Sequence, residues 1–119
     1  MEIKVILPWP PSCNHYWQRG RRGVMFISRR GQTFRTETIL AVRAAPWFRK
    51  LKGEIELSIL ACPPDKRRRD LGNLEKAVGD ALEHAGLYDD DYQVSRLVIE
   101  RGPVCEDGRL EIVARERGG

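Results

Sequence analysis

Arg67-Arg68-Arg69-Asp70-Leu71-Gly72-Asn73-Leu74-Glu75-Lys76-Ala77-Val78-Gly79-Asp80-Ala81-Leu82-Glu83-His84-Ala85-Gly86 is the stretch from which the fold can be read outward. Leu71, Leu74, Val78, Ala81 and Leu82 recur at the helical period, which predicts a helix over Asp70 to Ala85 with one apolar stripe. Gly86 is its natural stop. Asn73, Lys76 and Asp80, spaced by three and four, share the polar face opposite that stripe. From the local sequence alone, Asp70 is as readily an N-cap of this helix as a functional acid.

Working outward, Glu2 to Pro8 alternates, with Ile3, Val5 and Leu7 on one face, and reads as a strand ended by Pro8-Trp9-Pro10-Pro11. Ser12 to Gly23 reads as an irregular loop, and Val24 to Ile27 as a short strand. Gln32 to Val42, extendable to Phe48, has a helical pattern with Phe34, Ile39, Leu40 and Ala41 available to one face. Glu54 to Ala61 is an alternating strand. Gln93 to Glu100 and Arg109 to Arg115 read as a final pair of strands, expected to form a hairpin across Gly102 to Gly108. The order is strand, strand, helix, strand, helix, strand, strand. It predicts an α+β domain: a mixed β-sheet with two main helices on one face. The other sheet face is then half covered, and a homodimer is one way to cover it.

At 119 residues the chain is a single domain, 1–119, with one core of moderate size. No apolar run approaches a membrane span, and the N-terminus lacks the basic-then-apolar form of a secretory signal, so a cytoplasmic protein with no membrane partner is expected. Cys13, Cys62 and Cys105 are odd in number and widely spaced, which argues against a zinc site and for free thiols in a reducing compartment. Lys plus Arg outnumber Asp plus Glu by 21 to 17. The excess is clustered at Arg19, Arg21 and Arg22, at Arg29 and Arg30, and from Lys66 to Arg69. Any one cluster reads equally as solvated surface, but three of them favour a polyanionic partner. No RNP-like aromatic strand and no Gly-x-x-Gly clamp flanked as in a KH fold speaks for an RNA-binding module.

Asp89-Asp90-Asp91 follows the helix after Gly86-Leu87-Tyr88. A triple acid in a turn is more often solvated loop than metal site. If the strand that follows runs back beside the helix start, an acid from this turn approaches Asp70. Clustered carboxylates are costly without a cation. Mg²⁺ prefers a few carboxylates together with water and phosphate oxygens, and it can polarise a scissile phosphate and activate water. Lys76 can add positive charge at the transition state. Acids that hold a hard metal, beside cations that hold phosphate, are what hydrolysis of a nucleic-acid backbone requires.

Four motifs together resemble the RusA family of Holliday-junction resolvases: Leu7-Pro8-Trp9-Pro10-Pro11-Ser12 with Asn14; Arg67-Arg68-Arg69-Asp70-Leu71 with Asn73-Leu74 and Lys76-Ala77; Asp80-Ala81-Leu82; and Asp90-Asp91 with Gln93-Val94. The match runs nearly end to end. The resemblance implies a homodimeric, Mg²⁺-dependent endonuclease of phage or prophage origin, acting in DNA recombination and repair without a small-molecule cofactor. Such enzymes bind four-way DNA junctions and make paired nicks that leave ligatable ends. Carried over by position, Asp70 and Asp91 become metal-binding catalytic acids, with Asp90 a further candidate ligand, and Lys76 becomes the catalytic lysine. Arg69 becomes a DNA-binding cation, and Arg67, Arg68, Asn73, Lys76 and Asn14 are further DNA contacts. The chain departs from the family at Gly72, where the pattern Asp-Leu-Asp-Asn calls for a third acid. Folding gives little reason for the change, since Gly near a helix start costs up to about 1 kcal/mol relative to Ala and Asp would suit the helix dipole. Three readings follow: weakened cleavage, recruitment of Asp89 or Asp90 as a substitute, or a junction-binding protein that does not cut.

Overall fold

The computed structural model describes residues 2–118; the side chain of Cys13, one of the three thiols expected to be free, also lies outside the described set. In chain order the elements are β1 (Glu2–Pro8), α1 (Cys13–Tyr16), β2 (Trp17–Arg19), β3 (Met25–Ile27), α2 (Arg29–Arg43), β4 (Ile55–Cys62), α3 (Gly72–His84), β5 (Val94–Arg101) and β6 (Arg109–Glu116), with 3-10 turns at Arg21–Gly23 and Asp91–Gln93. The architecture is the expected α+β one. β1, β6, β4 and β5 form a four-stranded mixed sheet in that order, and β2 and β3 form a separate two-stranded ribbon.

The expected hairpin of the last two strands does not form. β6 inserts between β1 and β4, antiparallel to both, while β5 lies beyond β4 and parallel to it. The strand faces explain the choice. Leu110, Ile112 and Ala114 of β6 are fully or almost fully buried, so that strand suits the sheet interior, whereas β5 carries exposed Ser95, Arg96, Glu100 and Arg101 and suits an edge. A parallel β4–β5 pair needs a long crossover, and α3 supplies it. The residues after β5 then cross the end of β4, where the Cys105 amide donates to the Pro63 carbonyl at 2.9 Å.

One sheet face carries Ile3, Val5, Leu7, Ile55, Leu57, Ile59, Leu110 and Ile112, and these merge with Phe34 and Val42 of α2 and Leu74, Val78 and Leu82 of α3 into a single core. The other face is open: Ile6 is 63% exposed and Val98 37%. α2 starts three residues earlier than the pattern predicted, because Ser28 caps it and accepts from the Gly31 amide at 3.0 Å. Its inner stripe is Gly31, Phe34, Thr38 and Val42, and Leu40, expected on that face, is exposed. Thr38 is tolerated inside because its hydroxyl donates to the Phe34 carbonyl at 2.8 Å. The segment 12–23, read as a loop, contains α1, β2 and a 3-10 turn. α3 ends as expected at Gly86, whose φ of 82° closes a Schellman motif in which the Gly86 amide donates to the Glu83 carbonyl and the Leu87 amide to the Leu82 carbonyl.

Candidate active site

The exposed face of α3 is the spine of the site. Leu71 and Leu74 pull the helix start onto the core, which leaves Asp70, Gly72, Asn73 and Lys76 facing outward. No side chain caps this helix, and its first turn is closed instead by the Asn73 amide donating to the Asp70 carbonyl at 3.2 Å. Asp70 is therefore not an N-cap. Its exposed carboxylate makes no hydrogen bond or ion pair among the described residues. The peptide before it is pinned from the sheet, since the Arg101 guanidinium at the end of β5 donates to the Arg69 carbonyl at 2.9 Å.

Basic side chains wall the first part of the site. Arg67, Arg68, Arg69 and Asp70 line a cleft of about 740 Å³ with Trp9 and Asn73. A second cleft of about 610 Å³, on the far side of the same segment, adds Lys66 and Arg101. Arg69 is held rigidly: its guanidinium donates to Asp65 at 2.8 Å and lies 5.6 Å from the Trp9 ring centroid. Asp65 also accepts from the Arg67 amide, and these two contacts hold its carboxyl below the usual carboxylate range. The guanidinium groups of Arg67 and Arg68 have no ion-pair partner among the described residues. Phosphate-binding cations left unneutralised are what a polyanion would meet here.

The site continues along the helix. Asn14, Arg19, Met25, Gly72, Asn73 and Lys76 line a middle cleft of about 450 Å³. Lys76 also lines the next one, about 370 Å³, with Trp17, Glu75, Gly79, Tyr88 and Asp91. Asn73 thus joins the basic cleft to the middle one, and Lys76 joins the middle one to that of Asp91. Lys76 itself has no carboxylate in ion-pair range among the described residues.

Asp91 is positioned by a rigid turn. Asp90 caps the 3-10 turn by accepting from the Tyr92 amide at 2.9 Å, and the Gln93 amide oxygen accepts from the Asp89 and Asp90 amides. The Gln93 side chain donates in turn to the Leu51 and Gly53 carbonyls, which ties the turn to the segment leading into β4. The Asp91 amide donates to Glu83 at 3.2 Å. The carboxylate packs against α3 at Gly79, where a Cβ would lie at an ordinary contact distance of 3.6 Å from Asp91 Oδ1. Burial, reinforced by the negative charges of Asp91 and Glu83, pushes the Tyr88 hydroxyl well above its ordinary pKa, and the protonated hydroxyl donates to the Gly79 carbonyl at 3.2 Å.

Asp70 and Asp91 thus line different clefts on the same face of α3, with the middle cleft of Asn73 and Lys76 between them. The acidic turn meets α3 near Gly79, seven residues past Gly72 and about 10 Å along the helix axis. The element that reaches the helix start is the end of β5, through Arg101. No three His, Cys, Asp or Glu side chains converge as a ready-made metal cage among the described residues. Gly72 lies in the middle cleft, with nothing within 4 Å of where its Cβ would be. Of the two acids considered as substitutes, Asp89 is ion-paired with Lys50 at 2.7 Å and Asp90 spends an oxygen on capping. The donor set along the groove is oxygen from unneutralised carboxylates, which suits a hard divalent cation that keeps water ligands and takes phosphate oxygens.

The sequence did not flag Arg101, Tyr88, Glu75 or the ribbon residues Arg19 and Met25 as parts of the groove. Only Gly79 gave a signal, since an isolated Gly inside a helix marks a close approach.

The chain matches the family model for endodeoxyribonuclease RusA over residues 8–115. It is 41% identical over 114 residues to a crossover junction endodeoxyribonuclease RusA of Shigella sonnei, covering 96% of this chain and 94% of that protein. Proteins of the same name in Enterobacteria phage 82 and Enterobacteria phage HK97 are 40% and 37% identical, with 94% and 95% of their lengths covered.

Proposed function

This chain belongs to the RusA family of endodeoxyribonucleases, and from that premise we propose that it resolves four-way DNA junctions by Mg²⁺-dependent paired nicking. The observation that carries this reading is the row of three clefts along α3, from an arginine wall with Asp70 to Asp91, in which neighbouring clefts share Asn73 and then Lys76 as lining residues. Arg67, Arg68 and Arg69 take backbone phosphates of one arm, with Arg101 holding their segment in place. Asn73 and Asn14 offer neutral hydrogen bonds further along the strand. Such contacts set position and supply most of the affinity.

Asp70 and Asp91 would each offer carboxylate oxygen to Mg²⁺ from its own cleft rather than around one shared ion, and the metal when bound would supply charge stabilisation to the scissile phosphate and lower the pKa of an attacking water. Asp90 keeps Asp91 aimed by shaping the turn. Lys76 brings an unneutralised ammonium to the charge that develops on the phosphoryl oxygens. Tyr88, bonded through its hydroxyl to the Gly79 carbonyl, forms a neutral wall of the Asp91 cleft. Gly72 leaves one carboxylate fewer in the middle of the groove than the family pattern provides. That weakens metal binding, and its extreme form is a protein that binds junctions without cutting them.

Paired nicks on a nearly two-fold symmetric junction need two grooves. A homodimer supplies them, and the open sheet face with Ile6, Leu60, Val98 and Val113 offers a self-complementary surface for it. Action on DNA and the absence of any helix long and apolar enough to cross a membrane among the described residues fit a cytoplasmic site of work.

The test is a titration of labelled four-way junction and linear duplex at matched salt, with mass measured by light scattering. Preferential junction binding by a particle of twice the chain mass supports the reading. Equal affinity for the two DNAs, or a monomer with and without junction, removes it.

A further inference from the structure

Lys76 and Asp80 are four residues apart on α3, the spacing at which a lysine and an aspartate on one helix ordinarily pair. They do not pair here. Asp80 Oδ2 accepts from Arg35 Nη2 at 2.8 Å and from Arg35 Nε at 3.3 Å, and it is also the acceptor of the Tyr16 hydroxyl. Its other oxygen faces His84 at 3.6 Å. These partners come from three elements: Tyr16 from α1, Arg35 from α2 and His84 from α3 itself. Tyr16 is fully buried, and the Arg35 and Asp80 side chains are 19% and 20% exposed, so the contact is a docked clamp and not a passing surface pair. Asp80 Oδ2 takes all three of these hydrogen bonds, and although Lys76 and Asp80 line the same cleft, the Lys76 ammonium has no carboxylate in ion-pair range among the described residues.

We propose that Arg35, helped by Tyr16, is a positioning residue for the cleavage reaction: it holds Asp80 away from Lys76 and so keeps the Lys76 charge available to the phosphate. The energetics favour this division. A largely buried guanidinium that gives two N–H bonds to one carboxylate oxygen, beside a phenol hydroxyl, is stronger than a single exposed ammonium contact. A lysine placed N-terminal to its acid is also the weaker orientation of the helical pair. Without Arg35, Asp80 keeps only the Tyr16 hydroxyl and His84, and Lys76, one turn back on its own helix, is the permanently charged partner its spacing offers. The carboxylate would then turn along the helix, neutralise Lys76 and add negative charge to the wall that receives phosphate. The inference rests on the junction-cleavage reading for its kinetic consequence, but not for the ion-pair switch itself.

The test compares Arg35→Gln, Asp80→Asn and the double variant Arg35→Gln/Asp80→Asn with the parent protein. Single-turnover cleavage of a four-way junction in Mg²⁺ is one readout, and junction affinity in Ca²⁺ a second. The third is the rate of Lys76 acetylation by acetic anhydride, followed by peptide mass spectrometry, which reports pairing of the ammonium whether or not the protein cuts. Arg35→Gln should cut threefold to tenfold more slowly, with affinity changed less than twofold, and should acetylate more slowly at Lys76. Asp80→Asn should cut within twofold of the parent. The double variant should recover both the cleavage rate and the acetylation rate. If the two Asp80→Asn proteins are as slow as Arg35→Gln, the clamp merely braces the helices and the proposal is overturned. Unchanged Lys76 acetylation in a folded Arg35→Gln protein overturns it as well. A parent that does not cut, with the acetylation pattern as expected, would remove the cleavage reading and leave the switch standing.

Discussion

Gly72→Asp tests whether position 72 belongs to the metal site. The site has room, since no atom lies within 4 Å of the added Cβ and the backbone there is not in the left-handed region. Without metal the effects nearly balance. Asp gains about 0.3 kcal/mol over Gly in helix propensity and about 0.3–1 kcal/mol from the helix dipole. Against this stand the Asp70 charge two residues earlier and the Glu75 charge at i+3, the latter costing about 0.2–0.5 kcal/mol. The metal-free change is therefore within about 1 kcal/mol of zero. A third carboxylate in the middle cleft should tighten Mg²⁺ binding. A tenfold gain in affinity at saturating metal adds about 1.4 kcal/mol of stability, or roughly 5–10 °C in Tm for a domain of this size. The assay is thermal melting of both proteins with and without Mg²⁺, run beside junction nicking. A larger Mg²⁺-dependent shift and faster nicking in the Asp variant are expected. If neither appears, position 72 is not at the metal site, and the placement of Asp70 beside it loses its support.

Three further outcomes follow from the geometry. Lys76→Ala should lower single-turnover cleavage at least a hundredfold while junction affinity changes only a few-fold; proportional loss of both would make Lys76 a plain phosphate contact. Arg68→Ala should weaken junction and duplex binding alike and reduce the slope of log affinity against log salt by about 1, whereas an unchanged slope would place Arg68 away from phosphate. Burial and the adjacent Asp80 raise the Tyr16 pKa above its ordinary 10.0, so the folded state favours the protonated phenol. Its stabilisation is fully present below pH 10.0 and is lost as pH rises past that value toward the folded pKa, because the unfolded chain then releases the proton first. Tyr16→Phe should cost about 1–2 kcal/mol at neutral pH and should flatten the alkaline fall in a urea-melt series; an unchanged alkaline profile would refute the assignment.

The helix over 70–85 and the strands were legible because each buries one face, and a single buried face imposes a period on the sequence. Strand order was not legible in the same way. Nothing local distinguishes a hairpin from an insertion, and what separates β6 from β5 is how well each fills the sheet interior against Ile3, Val5 and Leu7 on one side and Ile55, Leu57 and Ile59 on the other. The start of α2 carries no apolar period, since it is set by Ser28 accepting from the Gly31 amide, and Thr38 reads as an outward polar residue although its bond to the Phe34 carbonyl lets it take the inner position in place of Leu40.

For the site, the residues near Asp70 and on α3 could be found from spacing on one helix. Arg101 and Tyr88 could not, since they reach the groove through the β4–α3–β5 crossover. The capping alternative for Asp70 needed the structure to decide it, because Asp-Leu at a helix start fits both readings. The role of Asp80 was also hidden: spacing assigned it to Lys76, and the tertiary partner Arg35, 45 residues away, overrides that local preference.

The central claim is tested most directly by incubating a four-way junction, labelled on each strand in turn, with the protein and Mg²⁺, and resolving the products on denaturing gels with and without DNA ligase. The account predicts Mg²⁺-dependent nicks at symmetry-related positions in two opposing strands, sealed by ligase, with linear duplex left intact. Retention of the junction on native gels with no nick at any Mg²⁺ concentration, in both the parent and Gly72→Asp proteins, would contradict it.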